Sequence, residues 1–294
     1  MQSFQKDRLK KAEQILLKNR IVLRDTRSFT FADKNKVNIN AWIDTGREVQ
    51  NIGDFLSVII VEKVAERHGI DVDKYVNGTK HLYAVGSTLM GYQDATVWGS
   101  GFGYDFSNNR FFPLYSAVHR FCHKTDIRAV RGPETRRILL KMGINCPEVY
   151  GDPAVLLPLF YKPQLLENKK YVIIPHYSRY NKYSKYNNVM STFTKNWKEF
   201  INNLCSADLV ISSSLHGIIL AEAYGIPCVM LNTTPAADIT KYKDWYYSTG
   251  RYDFTIAKSV EEALETKVSL PSDGVISKMQ NNLLETFPAD LWDN

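Results

Sequence analysis

From Val37 onward, short apolar runs of strand length alternate with segments of helical periodicity, and this alternation most constrains the fold. In order they are VNINAWI, FLSVIIVEKVAERHG, KHLYAVG, ATVWGSG, IRAVRG and PETRRILLKMG. After a polar turn come YVIIPHY, NWKEFINNLC, ADLVIS, HGIILAEAYG and IPCVML. Strand and helix patterns in alternation imply parallel sheets with crossover helices on their faces, so the chain is predicted to be α/β. At 294 residues it exceeds one ordinary core, and two lobes facing a cleft are expected. Prolines and the charged ENKK turn between Pro158 and Lys170 divide them into residues 1–160 and 161–294. A last helical segment, Ser277 to Glu285, is a candidate to cross back onto the first lobe.

The longest apolar stretches, such as Ala154 to Phe160, fall far short of the roughly 20 residues that span a bilayer. The first residues carry scattered positive charge and no uninterrupted apolar core, unlike a secretory signal, so a cytoplasmic location is expected. Residues 4 to 19 place Phe4, Leu9, Ala12, Ile15 and Leu16 at helical spacing among five basic residues. This basic amphipathic helix either packs on its own lobe or rests at the inner membrane face. Cys122, Cys146, Cys205 and Cys228 lack the short spacings of zinc or redox sites and are expected to be reduced, buried thiols. A net charge of +6 favours anionic ligands but is milder than a dedicated nucleic-acid binder shows, and no nucleic acid is expected as a partner.

Ala207 to Leu231 reads as a compact βαβ unit: buried strand, serine-rich turn, helix, buried strand. Its turn, Ser212 to Ser214 followed by Leu215 and His216, lies beyond the carboxyl end of a parallel strand, where open α/β sheets bind ligands. Free N–H groups at the helix start attract an anion, and His216 can exchange a proton near neutral pH. The alternative there is a capping serine beside an incidental histidine. A second strand delivers Arg131, in DIRAVRGPET, to a turn, where its planar fork suits carboxylate or phosphate, or braces the turn by a salt bridge. In NIGD, Asn51 and Gly53 shape a close-approach loop, and Asp54 either caps the following helix or faces the cleft as a base. Gly99, Gly101 and Gly103 do not fit the dinucleotide pattern and are read, with Ser100, as the rim of a substrate cleft. Asp152 and Pro153 are read as an interlobe turn. Lys241, Lys243 and Arg251 either hold phosphate or are surface charges. The Tyr177 to Asn188 stretch, with Arg179, is read as a loop over the cleft that either stacks sugars or is simply solvated. The remaining histidines, His119 and His123 included, show no metal-binding pattern.

Taken in order, NIGD (51–54), VWGSG (97–101), VRGPET (130–135), GDPA (151–154), SSLHGIILAEAYGIP (213–227) and KDWYYSTGR (243–251) resemble the polysaccharide pyruvyl transferase family. The resemblance covers roughly residues 40 to 255. It implies a GT-B-like fold of two Rossmann-like lobes. It also implies transfer of pyruvate from phosphoenolpyruvate to a sugar of a cell-surface polysaccharide or its lipid-linked precursor, closing a pyruvate ketal. By motif, Arg131, His216 and the backbone of Leu215 would bind the donor. Ser214 stands where some members carry arginine, a missing charge for which Lys241, Lys243 or Arg179 could substitute. His216 as acid and Asp54 as base complete a scheme that calls for no metal and no cofactor beyond the donor substrate. A glycosyltransferase using a nucleotide sugar and a noncatalytic saccharide- or nucleic-acid-binding protein are the rival readings.

Overall fold

A computed structural model describes residues 33–41, 48–89, 94–232, 239–268 and 270–293, so the basic helix expected over residues 4 to 19 lies outside the described residues. The chain opens with β1 (Val37–Ile39), β2 (Gln50–Asn51), α1 (Ile52–Arg67), β3 (Lys80–Tyr83) and β4 (Ala95–Trp98). It continues through α2 (Phe112–Cys122), β5 (Thr125–Ala129), α3 (Pro133–Lys141) and a 3-10 turn (Pro153–Leu159). Next come β6 (Val172–Ile174), a second 3-10 turn (Tyr177–Tyr183), β7 (Phe193–Thr194), α4 (Trp197–Cys205), β8 (Val210–Ser212) and α5 (Leu215–Ala223). It closes with β9 (Cys228–Leu231), α6 (Thr240–Ser248), β10 (Ile256–Ala257), α7 (Val260–Glu265) and α8 (Val275–Glu285).

Among the described residues, eight of these strands form two parallel sheets, ordered β1-β3-β4-β5 and β10-β9-β8-β6. The protein is therefore α/β with parallel sheets. In β4, β6, β8 and β9 every residue is buried, as expected of strands covered on both faces. β2 and β7 form a short antiparallel ribbon, with Asn51 opposite Phe193, that ties the segment before α1 to the segment before α4. Nothing in the sequence pattern marks it, because two residues are too few for any periodicity.

One apolar cluster runs through both sheets, from Leu82 and Trp98 to Val172, Val210 and Met230. α8 joins it against the first sheet: the Trp98 indole donates to the Leu283 carbonyl at 2.9 Å, and the Gln280 amide donates to Val155 O at 2.7 Å. A register shift at Val97/Trp98 accompanies this placement of Trp98. Gly151, at φ 148°, lies so close to α8 that a Cβ would meet Met279 Cγ at 2.5 Å.

Three local expectations change. α1 begins at Ile52, ahead of Phe55, because Asn51 is its cap: Asn51 Oδ1 accepts from the Gly53 N–H at 3.1 Å. Asp54 is therefore not the cap but lies in the first turn, where a carboxylate favours the helix dipole. Cys122, at the end of α2, is exposed, while the other three thiols are buried. Burial pushes the Cys146 and Cys205 thiols up to about 12, so neither is a ready thiolate.

Candidate active site

The carboxyl ends of the strands in both sheets lead to one place. After β3 comes Gly86, after β4 Ser100 and Gly101, and after β5 Arg131; from the second sheet, β6 leads to His176 and β8 to Ser212–His216. These turns touch. A Cβ on Gly86 would stand 3.6 Å from His216 Cε1, and one on Gly53 would overlap the His216 ring atoms Nδ1 and Cε1. The NIGD and SSLHG motifs thus pack glycine against imidazole, which only a residue without a side chain permits at Gly53.

His216 sits in the first turn of α5, and its Nε2 is sealed from solvent, facing Asp152 Oδ2 at 3.7 Å. Asp152 is fully buried. Its Oδ1 accepts from Ala154 N at 3.1 Å, and its Oδ2 from Gly86 N at 3.2 Å. These two amide donors keep the carboxylate aimed, so the buried charge faces the imidazole. Read from sequence as an interlobe turn, Asp152 is the carboxylate that faces His216. Its available signal was position: like Gly86, it follows a short strand-like segment, pairing through Tyr150 with Val130.

The serine turn is wired inward. Ser212 Oγ lies 2.9 Å from both Ile174 O and Ser214 O, its single proton shared between them, and accepts from Ser214 N at 3.0 Å, while Ser213 Oγ accepts from His176 N at 2.9 Å. Ser214 is the N-cap of α5 by backbone conformation, yet its side chain makes no capping hydrogen bond, and Leu215 is buried behind it. The first amides of α5 are thus not capped by a serine oxygen, as a helix start that receives an anion requires.

Beside this turn stands α6. The Tyr242 hydroxyl donates to Ser213 O at 2.8 Å. Lys241 is partly buried, and burial, reinforced by the Arg131 charge, lowers its ammonium to about 8. Burial, then Lys241 and Arg179, lowers His176 below the usual histidine value. Lys241 and Arg179 thus bring positive charge to the His176–Ser213 contact beside the α5 start, the field an anionic ligand seeks. Lys243, two residues along α6 from Lys241, lies on a different helix face.

Arg131 has no exposed surface. Its Nε donates to Asp244 Oδ2 at 3.1 Å, Nη1 to Ser87 Oγ at 2.7 Å and Gly86 O at 3.4 Å, and Nη2 to Phe102 O at 2.5 Å. Asp244 in turn accepts from Thr135 N at 2.9 Å and Thr135 Oγ1 at 2.6 Å, so the pair bolts α6 to the start of α3. A Cβ on Gly132 would overlap the Asp244 carbonyl, and one on Gly101 would meet Arg131 Nη2 at 2.6 Å. Ser100, expected at a cleft rim, is fully buried; its hydroxyl donates to Gly86 O at 2.9 Å and lies 2.7 Å from Thr88 Oγ1. Ser100, Gly101 and Arg131 therefore stand behind Gly86, which itself touches His216.

The rest of the KDWYYSTGR motif is also internal. Arg251 forms two parallel bonds with Glu222 at 2.8 and 2.6 Å, the Trp245 indole donates to the same carboxylate at 2.7 Å, and the guanidinium lies over the Tyr246 ring. Arg251 thus fastens α5 to α6 rather than standing free for phosphate. The tyrosine-rich stretch, read as a loop, begins with a 3-10 turn over Tyr177–Tyr183 that carries Arg179.

Residues 51–235 match the model of a family described as polysaccharide pyruvyl transferase. A relative, the succinoglycan biosynthesis protein ExoV of Rhizobium meliloti, is 28% identical over 165 residues. That alignment covers 52% of this chain and 47% of the relative, about half of its length. A crystal structure of a functionally uncharacterised protein from Klebsiella pneumoniae aligns over 85% of this chain and 99% of its own, with a TM-score of 0.46 and 14% identity.

Proposed function

This chain belongs to the polysaccharide pyruvyl transferase family, and from that premise we propose that it transfers pyruvate from phosphoenolpyruvate to a sugar of a polysaccharide or its lipid-linked precursor, forming a ketal. One observation carries the reading: His216, facing the buried Asp152 carboxylate, lies at an uncapped α5 start with Lys241 and Arg179 nearby. Phosphoenolpyruvate needs a cradle for two anionic groups and a proton for its C3 carbon, and this arrangement offers both.

In this scheme the α5 amides, Lys241 and Arg179 hold the carboxylate and phosphate. Arg131 adds its charge from behind and keeps Gly86 and Asp244 in place. Asp152 faces the ring at Nε2, 3.7 Å away, and Nδ1, beside Gly53, is the atom proposed to exchange the proton. His216 protonates C3, so C2 gains carbocation character. An acceptor hydroxyl oxygen bonds to C2 while its proton passes to a base, the role proposed for Asp54. The C2–O bond to phosphate then breaks with its electron pair on phosphate, which takes up the proton held by Asp54 and leaves as hydrogen phosphate. A second hydroxyl closes on C2, and its proton returns to His216. Donor and diol are thereby converted to ketal and inorganic phosphate with every proton accounted for.

Thermal unfolding with phosphoenolpyruvate and with a panel of nucleotide sugars tests this before any acceptor is known. Donor at about 100 times its dissociation constant stabilises by about 2.7 kcal/mol, a visible shift. A shift with nucleotide sugars alone would move the assignment to glycosyl transfer. Lys241→Met is expected to weaken phosphoenolpyruvate binding by about 10- to 100-fold, as loss of one hydrogen bond to a charged group does. Since the Lys241 ammonium is charged below about 8 and neutral above it, donor affinity should hold near pH 7 and fall as pH rises through 8. The phosphate, with a second pKa of about 6, is already dianionic across that range. Titration calorimetry at fixed ionic strength reads the step, and a step that persists in Lys241→Met would assign it to another group.

His216→Ala should lower turnover by about 10²- to 10⁴-fold, the usual contribution of a positioned acid. Asp152→Asn, which keeps the shape and removes the charge, should lower turnover and shift the pH–rate profile with little change in donor affinity. Normal turnover in either variant, followed by phosphate release, would remove the acid assignment.

A further inference from the structure

Away from the His216 turn, the surface between β7 and α4 is hollowed into an open groove of about 470 Å³, within the size range of small-molecule sites. Its lining is rich in amides: Asn188, Asn196 and Asn203, with Ser191 between them, and Met190 and Phe193 as the apolar part. Asn196 Oδ1 caps α4 and Asn203 is held by Lys169 and the Glu199 carbonyl, so the amides of Asn187 and Asn188 are the ones that offer donor and acceptor together, matching a sugar hydroxyl, while the apolar side chains suit the C–H face of a pyranose ring. The groove's two cations, Lys169 and Lys195, are each engaged and share the lining with the Glu199 carboxylate. Lys169 donates to Asn203 Oδ1 at 2.9 Å and Lys195 pairs with Glu48, so the surface lacks the open positive set that a phosphate would need.

The groove is joined to the candidate active site by a run of rings. Phe193 meets Tyr177 edge-on at 5.6 Å, Tyr177 lies 4.4 Å from the His176 ring, and the His176 N–H is bonded to Ser213. Tyr177 is half exposed at this junction. On its backbone side, Phe193 stands opposite Asn51, the cap of the helix whose Gly53 packs on His216.

We propose that this groove binds an uncharged oligosaccharide segment of the acceptor, with the Tyr177–Phe193 pair as the platform leading its reacting sugar toward His216. The proposal rests on the pyruvyltransferase reading for the direction of the chain, but the groove's chemistry is argued from its own residues. It makes acceptor length part of recognition: sugars beyond the reacting one contribute contacts.

The test uses the full chain and a series of neutral glucose, galactose and N-acetylglucosamine oligomers, from monosaccharide to hexasaccharide, observed by saturation-transfer NMR and titration. Affinity should rise by about tenfold or more from monosaccharide to tetrasaccharide in at least one series. It should fall by a similar factor in Asn187→Trp, which places bulk in the groove from an exposed position, and to a lesser degree in Asn188→Ala. The thermal shift with phosphoenolpyruvate should be equal in wild type and both variants. No oligosaccharide binding, affinity indifferent to length, or binding untouched by Asn187→Trp would each overturn the groove assignment, even if phosphoenolpyruvate binds. Oligosaccharide binding lost in Asn187→Trp, together with no response to phosphoenolpyruvate, would leave the groove in place and defeat the donor reading.

Discussion

Arg131→Ala should cost about 3–5 kcal/mol of folding stability, the penalty for breaking a buried ion pair by removing one partner. Both side chains of the Arg131–Asp244 pair are fully buried. Without the guanidinium, the Asp244 carboxylate keeps only its two bonds from Thr135, and the carbonyls of Gly86 and Phe102 lose a donor. Burial already pushes the Asp244 carboxyl upward against the opposing pull of Arg131, so removing that pull leaves an ion in a site that disfavours it. Set against a typical total of about 5–15 kcal/mol, the loss is severe. Urea unfolding followed by circular dichroism measures it, and a midpoint within about 1 kcal/mol of wild type would show that the pair braces nothing. Arg131→Met combined with Asp244→Leu should recover much of the loss, because a buried pair replaced by apolar groups leaves no stranded charge. It also follows that a lost phosphoenolpyruvate response in Arg131→Ala would not by itself identify a donor contact. Lys241→Met, which removes no ion-pair partner of a buried carboxylate, is the more direct probe.

Gly53→Ala should lower turnover by about 10²-fold or more, since about 1 Å of displacement at a catalytic group costs that much. In an ordinary helix this substitution favours folding by about 1 kcal/mol. Here the added methyl would overlap Nδ1 and Cε1 of His216, and Gly53 lies in the rigid first turn of α1, held by the Asn51 cap. The imidazole must therefore shift from its position between Gly53 and Asp152 or the two helix starts must separate. Either outcome should reverse the stability gain to a loss of about 1–3 kcal/mol, the usual cost of overpacking. Phosphate release under saturating donor, measured beside the urea midpoint, separates the two effects. Wild-type turnover in Gly53→Ala would mean that the contact with His216 has no bearing on catalysis.

The elements most legible in the sequence were those whose signal is local. The buried runs at 172–174, 210–212 and 228–231 announce parallel strands, and the serine turn before His216 lies at a strand's carboxyl end, where such sheets bind ligands. Pro133 and Gly143 delimit α3 closely. Less legible was α2, whose start at Phe112 lacks a side-chain cap and whose pattern is interrupted by aromatic residues that pack against Phe106. The β2–β7 ribbon had no signal at all. At the site, Gly53 was legible as a close-approach residue, but its neighbour was not, because the contact joins α1 to α5 across the middle of the chain.

Charge shows the division most sharply. In one dimension Arg131, Lys241, Lys243 and Arg251 are equivalent: each is a cation near a turn, able to meet an anion. Folding separates them by burial and partners. Arg131 is enclosed with Asp244, and Arg251 is locked onto Glu222, while burial, followed by the Arg131 charge, lowers Lys241 to about 8. Asp152 makes the same passage in reverse, from a turn residue in sequence to the charge behind His216. The sequence by itself determined the α/β class, the βαβ unit and the histidine at its turn, because these follow from periodicity and from the geometry of neighbouring residues. Which charges are available to a ligand was decided only by tertiary structure, because pairing and desolvation depend on groups brought together from distant parts of the chain.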